Sequence, residues 1–105
     1  MAFRLNKENF NEKVLQAEKP VLVDFYSDSC IPCKQMAGIL GDIEDELEEQ
    51  IHIYKVNVNY DQELASEYKV MSAPTLVVFH KGEEKERIRG LAEEETVREL
   101  ISPYI

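Results

Sequence analysis

Apolar residues along the chain form short runs typical of β-strands, separated by segments with the spacing of amphipathic helices. Val21–Tyr26 and residues 75–79 are largely apolar runs, which favours strands buried on both faces. Residues 51–58 alternate between apolar and polar positions, as expected for a further strand. Two short strands complete the prediction, Phe3–Leu5 at an edge of the sheet and residues 86–89 near the end.

Helical spacing predicts four helices between and after these strands. Asn6 is predicted to cap a helix over residues 7–17, in which Phe10 and Val14 lie on one face. The other helices are predicted from the cysteines to about residue 49, over residues 62–68, and from about residue 94 to Pro103. The order β-α-β-α-β-α-β-β-α predicts an α/β fold, in which a central mixed sheet of four to five strands is flanked by helices on both faces.

The length and composition indicate one domain. The chain has 105 residues, of which 44% are hydrophobic, so residues 1–105 are expected to form a single domain around one core. No apolar run approaches the roughly 18 residues of a membrane-spanning helix. The first residues lack the apolar stretch of a secretory signal, so a cytoplasmic protein is expected.

The net charge argues against two classes of partner. With 12 basic and 21 acidic residues, the formal charge is −9. An acidic protein does not gain the counterion release that drives nucleic-acid binding, and anionic membrane surfaces repel it. We therefore expect neither nucleic acid nor membrane as a partner, and we attribute the acidity to solubility.

Both cysteines of the chain fall in one short motif, Cys30-Ile31-Pro32-Cys33. A disulfide that closes so short a loop removes little entropy from the unfolded chain, and structural disulfides are rare in a reducing cytosol. The pair is therefore expected to do redox chemistry or to supply half of a metal site. His52 and His80 lack ligand spacing to the pair, and four thiolates would require a dimer that shares two pairs, so no metal is expected.

The position of the pair at the start of a predicted helix makes the two cysteines unequal. If Cys30 is the N-cap, Pro32 has no N–H to offer, so the backbone N–H of Cys33 is left to donate to the Cys30 sulfur. The positive end of the helix dipole also favours a thiolate there. Cys30 is thus predicted to be the exposed nucleophile of low pKa, and Cys33, with its Cβ roughly 5 Å away, to be the resolving thiol.

Asp24 interrupts the otherwise apolar strand that leads to the cysteines. A carboxyl group buried there would have a raised pKa and would be able to accept or relay the proton of Cys33. The alternative is an aspartate at the end of a strand that faces solvent or a turn. The spacing by itself favours neither.

The sequence resembles the thioredoxin family over nearly its whole length. The resemblance rests on residues 21–25 before the cysteine pair, on Lys34 after it, and on Ala73-Pro74-Thr75, Lys81-Gly82 and Arg89-Gly90 in that order. A lone C-x-x-C is a weak signal, because zinc and iron–sulfur sites also use it. Together these motifs imply the thioredoxin fold and a thiol–disulfide oxidoreductase that carries electrons in the redox balance of the cell.

The resemblance implies roles for further residues. Pro74 would form a cis peptide bond and face the cysteines, while the backbone of Ala73 would pair with an extended substrate segment in a groove beside Gly90. Lys55 corresponds to the family's buried lysine, which approaches the aspartate and tunes its proton affinity. Asp24, Lys55 and Cys33 would then titrate as a coupled set.

The active-site motif departs from the family pattern. The usual Trp-Cys-Gly-Pro-Cys reads Ser29-Cys30-Ile31-Pro32-Cys33, and the chain contains no tryptophan. Because Ser29 lacks the aromatic ring that normally covers the site, a more open substrate-binding surface is expected at Ser29, Ile31 and Pro32. Ile31 stands where the family has glycine in the dipeptide that influences the reduction potential, so the potential does not follow from the resemblance.

Two functions of different classes are consistent with these residues. The first is a monomeric electron carrier without a cofactor that reduces disulfide-containing protein substrates and is itself reduced by a thioredoxin reductase. An oxidant or isomerase role fits poorly with the missing export signal. The second is a docking module whose dithiol is incidental, and a Cys30→Ser variant would distinguish the two.

Overall fold

The computed structural model describes residues 2–105 and contains one five-stranded sheet. Its strands, β1 to β5 in chain order, are Phe3–Leu5, Val21–Tyr26, His52–Asn57, Thr75–His80 and Glu83–Arg89. Across the sheet they lie in the order β1-β3-β2-β4-β5. β3 is parallel to β1 and β2, whereas β4 is antiparallel to β2 and β5. The predicted mixed sheet, with β1 on an edge, is confirmed.

Four helices connect or follow these strands in the predicted order. They are α1 (Lys7–Phe10), α2 (Ile31–Leu47), α3 (Gln62–Glu67) and α4 (Glu94–Ile101). Asn6 caps α1 as predicted, because its side-chain oxygen accepts the backbone N–H of Asn9 at 3.1 Å. The chain after α1 continues in π-helical turns over Asn11–Leu15, so this helical segment ends two residues before the predicted position 17.

Alternation along β2 divides the interior into two apolar cores, one on each face of the sheet. Val21, Val23 and Phe25 belong to the core under α1 and α3. Leu22 belongs to the core under α2 and α4. Asp24 follows Leu22 by two residues and therefore faces the same side as α2, the helix that begins at the cysteines. The predicted α/β fold with helices on both faces is confirmed, and it is the thioredoxin fold.

The sequence predicted that the last strand begins at residue 86, but β5 begins three residues earlier, at Glu83. Its first residues are charged and exposed, and they join the sheet through backbone pairing of Glu84 with Phe79 and of Glu83 with His80. Side chains that face water on an edge strand carry no apolar alternation, so the sequence pattern could not mark them.

The longest helix, α2, buries one stripe of side chains: Cys33, Met36, Leu40 and Ile43. Its two glycines, Gly38 and Gly41, face open space, so neither is required for close packing. No helix in the described part of the chain is both long and apolar enough to cross a bilayer. In α4, Val97 and Ile101 are buried, whereas Leu100 is only half-buried.

Candidate active site

The N-terminus of α2 holds the two cysteines as the sequence predicted. Cys30 is the N-cap, with extended backbone angles of φ −104° and ψ 111°, and Pro32 lies in the first turn. The backbone N–H of Cys33 donates to the Cys30 sulfur at 3.2 Å. The two residues form a disulfide, with their Cα atoms 5.2 Å apart. The same N–H and the helix dipole would stabilise negative charge on Cys30 Sγ once the disulfide is reduced.

The two sulfurs differ in accessibility, although less than the sequence predicted. Cys33 is buried, with 4% of its surface exposed, while Cys30 is half-buried rather than exposed. The reason is the loop before β4, since the carbonyl oxygen of Ala73 lies 3.5 Å from Cys30 Sγ. Cys30 is therefore the more accessible sulfur of the pair, beside the carbonyl of Ala73.

The segment beside Cys30 is held in a defined shape by two hydrogen bonds to its backbone carbonyls. The Ala73–Pro74 peptide bond is cis, as the resemblance implied. Thr75 donates its hydroxyl to the carbonyl of Ser72 at 2.8 Å, and the N–H of Gly90 donates to the carbonyl of Pro74 at 2.8 Å. Gly90 has φ +90°, a conformation that favours glycine, so this link between β5 and the loop depends on that residue.

Asp24 is buried, with 4% of its surface exposed, so the alternative of a solvent-facing aspartate is wrong. Its Oδ1 atom has no hydrogen-bond partner among the described residues. Burial raises the pKa of the Asp24 carboxyl from 3.8 to about 7, and the positive charge of Lys55 opposes this rise. The carboxyl group is therefore poised to exchange a proton near neutral pH.

Lys55 lies opposite Asp24 in the pairing of β2 with β3. The resemblance implied a buried lysine, but Lys55 is half-buried, and its Nζ lies 5.4 Å from the centre of the Tyr26 ring. The residue is accessible because a cavity of about 210 Å³ opens between α2 and the sheet. Asp24, Lys55 and Cys33 all line this cavity, so the structure brings together the three predicted members of the coupled set.

The predicted substrate-binding residues surround the disulfide on two elements. Ser29, Ile31 and Pro32 are all exposed around the N-terminus of α2, and Ile31 has 71% of its surface accessible. Ala73, half-buried, and Pro74, buried, lie on the opposite loop. With serine in place of a covering aromatic residue, this end of the helix is open to solvent.

The sequence did not predict a cleft of about 780 Å³ on the α3 side of Cys30. Met71, Ser72 and Lys69 line it together with Cys30, and Met71 is 93% exposed. These loop residues show no periodic spacing of apolar positions. Only their position immediately before Ala73-Pro74-Thr75 could have indicated that they lie beside the active site.

Both histidines lie at the other end of the sheet from the cysteines. His52 and Phe79, the neighbour of His80, both pair with Val21 at the start of β2, whereas the cysteines follow its end at Tyr26. Each histidine contacts a tyrosine ring, His52 that of Tyr54 and His80 that of Tyr104. Within residues 2–105, no three or more His, Cys, Asp or Glu side chains are grouped so that they could hold a metal ion.

Comparison with known proteins agrees with this geometry. The sequence model of the family described as Thioredoxin matches residues 1–103. A thioredoxin from Rickettsia bellii is 34% identical over 105 residues, which cover all of both chains. The chloroplastic M-type thioredoxin of Spinacia oleracea is 35% identical over 101 residues, which are 96% of this chain and 56% of that protein. The chain therefore belongs to the thioredoxin family, and its two cysteines make it a thiol–disulfide oxidoreductase.

Proposed function

We propose that this protein reduces protein disulfides, with Cys30 as the attacking thiolate and Cys33 as the resolving thiol. The observation that carries the proposal is the hydrogen bond of 3.2 Å from the Cys33 N–H to Cys30 Sγ at the N-terminus of α2. A thiolate at Cys30 receives this bond and the positive end of the helix dipole, while the Cys33 sulfur is buried. The half-buried sulfur therefore attacks, and the buried one resolves.

The reaction moves two electrons in two exchange steps. Cys30 thiolate attacks one sulfur of the substrate disulfide, the substrate S–S bond breaks, and the other substrate sulfur leaves as a thiolate that takes a proton. Cys33 then loses its proton and attacks Cys30 Sγ, which breaks the mixed disulfide and releases the second substrate thiol. The substrate is reduced, and the Cys30–Cys33 dithiol is oxidised to the disulfide.

Asp24 is the proposed acceptor of the Cys33 proton. Its carboxyl shares a cavity with Cys33, and burial raises its pKa to about 7, near the pH at which a general base acts best. Lys55 lines the same cavity, and its charge lowers the pKa of Asp24 against that burial. We propose that Lys55 tunes the proton affinity of Asp24 and takes no part in bond formation.

The substrate segment is proposed to lie as an added strand along Ala73. The carbonyl of Ala73 lies 3.5 Å from Cys30 Sγ, so a peptide paired with this backbone would hold its disulfide against the attacking sulfur. Pro74 and Gly90 hold the loop, and Ser29, Ile31 and Pro32 form the opposite rim of the groove.

The reduced form is proposed to be regenerated by a thioredoxin reductase, without a bound cofactor. We propose that residues 1–105 act as a single domain, as a monomer and in the cytoplasm. The packing of all five strands into one sheet supports the single domain.

Trapping of the mixed disulfide tests the assignment of the two cysteines. A Cys33→Ser variant is expected to form a stable mixed disulfide with insulin, detected by mass, because the resolving thiol is missing. A Cys30→Ser variant is expected to form none and to lose insulin reduction. The reverse pattern would contradict the assignment, and failure of the unaltered protein to reduce insulin would favour a docking module with an incidental dithiol.

The reduction potential of the Cys30–Cys33 pair tests the direction of the reaction. Alkylation and mass measurement after equilibration in thiol buffers suit a chain without tryptophan. A value of about −270 mV, as is known for thioredoxin, would support a reductase. A value above about −200 mV would point to an isomerase or an oxidant instead.

A further inference from the structure

The cleft on the α3 side of Cys30 combines an apolar wall with one positive charge. Its volume of about 780 Å³ is within the range of pockets that take peptide side chains or small ligands. The residues that line it are Ser27, Cys30, Val58, Gln62, Ala65, Ser66, Lys69, Val70, Met71, Ser72 and Ala73. Lys69 is the one charged residue in this set, in a chain whose net charge is −9.

Backbone hydrogen bonds fix the position of Lys69, while its side chain is exposed. Arg87 donates to the carbonyl of Tyr68 at 2.6 Å and to that of Lys69 at 3.3 Å, and the Lys69 N–H donates to the carbonyl of Ser66 at 3.0 Å. The side chain of Lys69 has no ion-pair partner among residues 2–105. The loop therefore holds Lys69 in place with a cation available for a ligand.

Met71 supplies the apolar contact of the same cleft. It is 93% exposed, more than the other exposed large apolar side chains of the described residues, such as Ile31 at 71% and Tyr60 at 68%. Two residues further on, the carbonyl of Ala73 contacts the Cys30 sulfur. A peptide paired with Ala73 thus places its neighbouring side chains within the cleft that Met71 and Lys69 line.

We infer that this cleft selects protein disulfides in which the attacked cysteine is flanked by an apolar and an acidic residue, with Met71 contacting the first and Lys69 the second. The inference rests on the proposed attack by Cys30 and names its substrate class. A carboxylate is the complementary group, because Lys69 places a local positive charge in the cleft that has no ion-pair partner among residues 2–105.

Two disulfide-linked peptides test the charge preference. Both carry leucine next to the cysteine and differ only at the positions two residues before and after the cysteine. These positions are glutamate in one peptide and lysine in the other. The pre-reduced protein is expected to reduce the glutamate peptide faster at low ionic strength, and the difference is expected to shrink in 0.5 M salt. Rate constants are followed by a fluorophore and quencher on the peptides, since the protein has no tryptophan.

Variants of Lys69 test whether this residue causes the preference for the glutamate peptide. Lys69→Gln is expected to slow reduction of the glutamate peptide by about two- to fivefold and not to slow that of the lysine peptide. Lys69→Glu is expected to reverse the preference. Lys81→Gln is the matched control, because Lys81 is an exposed lysine with nearly the same backbone conformation, φ 55° against 56° for Lys69, in the turn between β4 and β5.

A second pair of peptides, one with leucine and one with serine next to the cysteine, tests the contact with Met71. Met71→Ala is expected to slow reduction of a leucine-flanked peptide by about threefold or more and to change a serine-flanked peptide little. Ile105→Ala, which truncates an exposed apolar residue at the C-terminus, is the control.

The outcomes separate this inference from the proposed function. Equal rates for the two charged peptides, or equal effects of Lys69→Gln and Lys81→Gln, would overturn the charge selection while leaving disulfide reduction in place. Equal effects of Met71→Ala on the leucine and serine peptides would overturn the apolar contact. Failure of the unaltered protein to reduce any of the peptides would instead overturn the proposed function.

Discussion

The two faces of the central sheet differ in what β2 buries beneath the helices. Toward α1 and α3 the strand presents Val21, Val23 and Phe25, and the core there is apolar. Toward α2 and α4 it presents Leu22 and then Asp24, whose buried Oδ1 has no hydrogen-bond partner within residues 2–105. One face is built for stability, whereas the other gives up part of its stability to hold a titratable group beside the cysteines.

Truncating the apolar face tests the first half of this comparison and has the largest expected effect. Phe79 is 1% exposed and packs edge-on against the rings of Phe10 and Tyr68, with centroids 5.7 Å and 5.4 Å away. Phe79→Ala is expected to lower the free energy of unfolding by about 3–5 kcal/mol in urea denaturation followed by circular dichroism. Phe3→Ala, at a site 54% exposed, is the control, and an equal loss there would contradict the comparison.

Removing the charge from the other face is expected to raise stability. The pKa of Asp24 is about 7 in the folded state against 3.8 when unperturbed, so the folded protein binds more protons than the unfolded chain between these values. The contribution of Asp24 to stability therefore falls as pH rises from about 4 to 7, by about 4 kcal/mol for a shift of this size. Asp24→Asn is expected to gain little at pH 3.5 and up to about that amount at pH 8.

The measurement is urea denaturation of the oxidised protein and its Asp24→Asn variant at both pH values. A gain in stability of equal size at pH 3.5 and pH 8 would show that the variant improves packing rather than removing a buried charge.

The same substitution is expected to slow the redox reaction, which is the smallest of the three effects in free energy. Loss of a general base is expected to slow proton transfer by about a hundredfold, equivalent to about 3 kcal/mol. Asp24→Asn should slow resolution of the mixed disulfide and remove its rise with pH around 7. Stopped-flow reduction measures this step, and first attack in the Cys33→Ser background is the control. Equal resolution rates would remove Asp24 from the mechanism.

Much of the site could be predicted from neighbours in the sequence. The capping of α2 by Cys30 involves residues three apart, and Pro32 by its chemistry leaves the Cys33 N–H as the donor. The burial of Asp24 could not be predicted, because a strand residue near the end of a run can face either a helix or water. The same limit applied to Lys55, which is half-buried because a cavity opens beside it.

The amino-acid order by itself determined the sequence of helices and strands and the unequal chemistry of Cys30 and Cys33, since both depend on side-chain periods and hydrogen bonds within a few residues. Only the tertiary structure decided what surrounds them. It placed Ala73, 43 residues along the chain, against Cys30 and opened the cleft that Lys69 and Met71 line. The pKa of Asp24 likewise depends on how much water the packed elements exclude, a property that no local pattern contains.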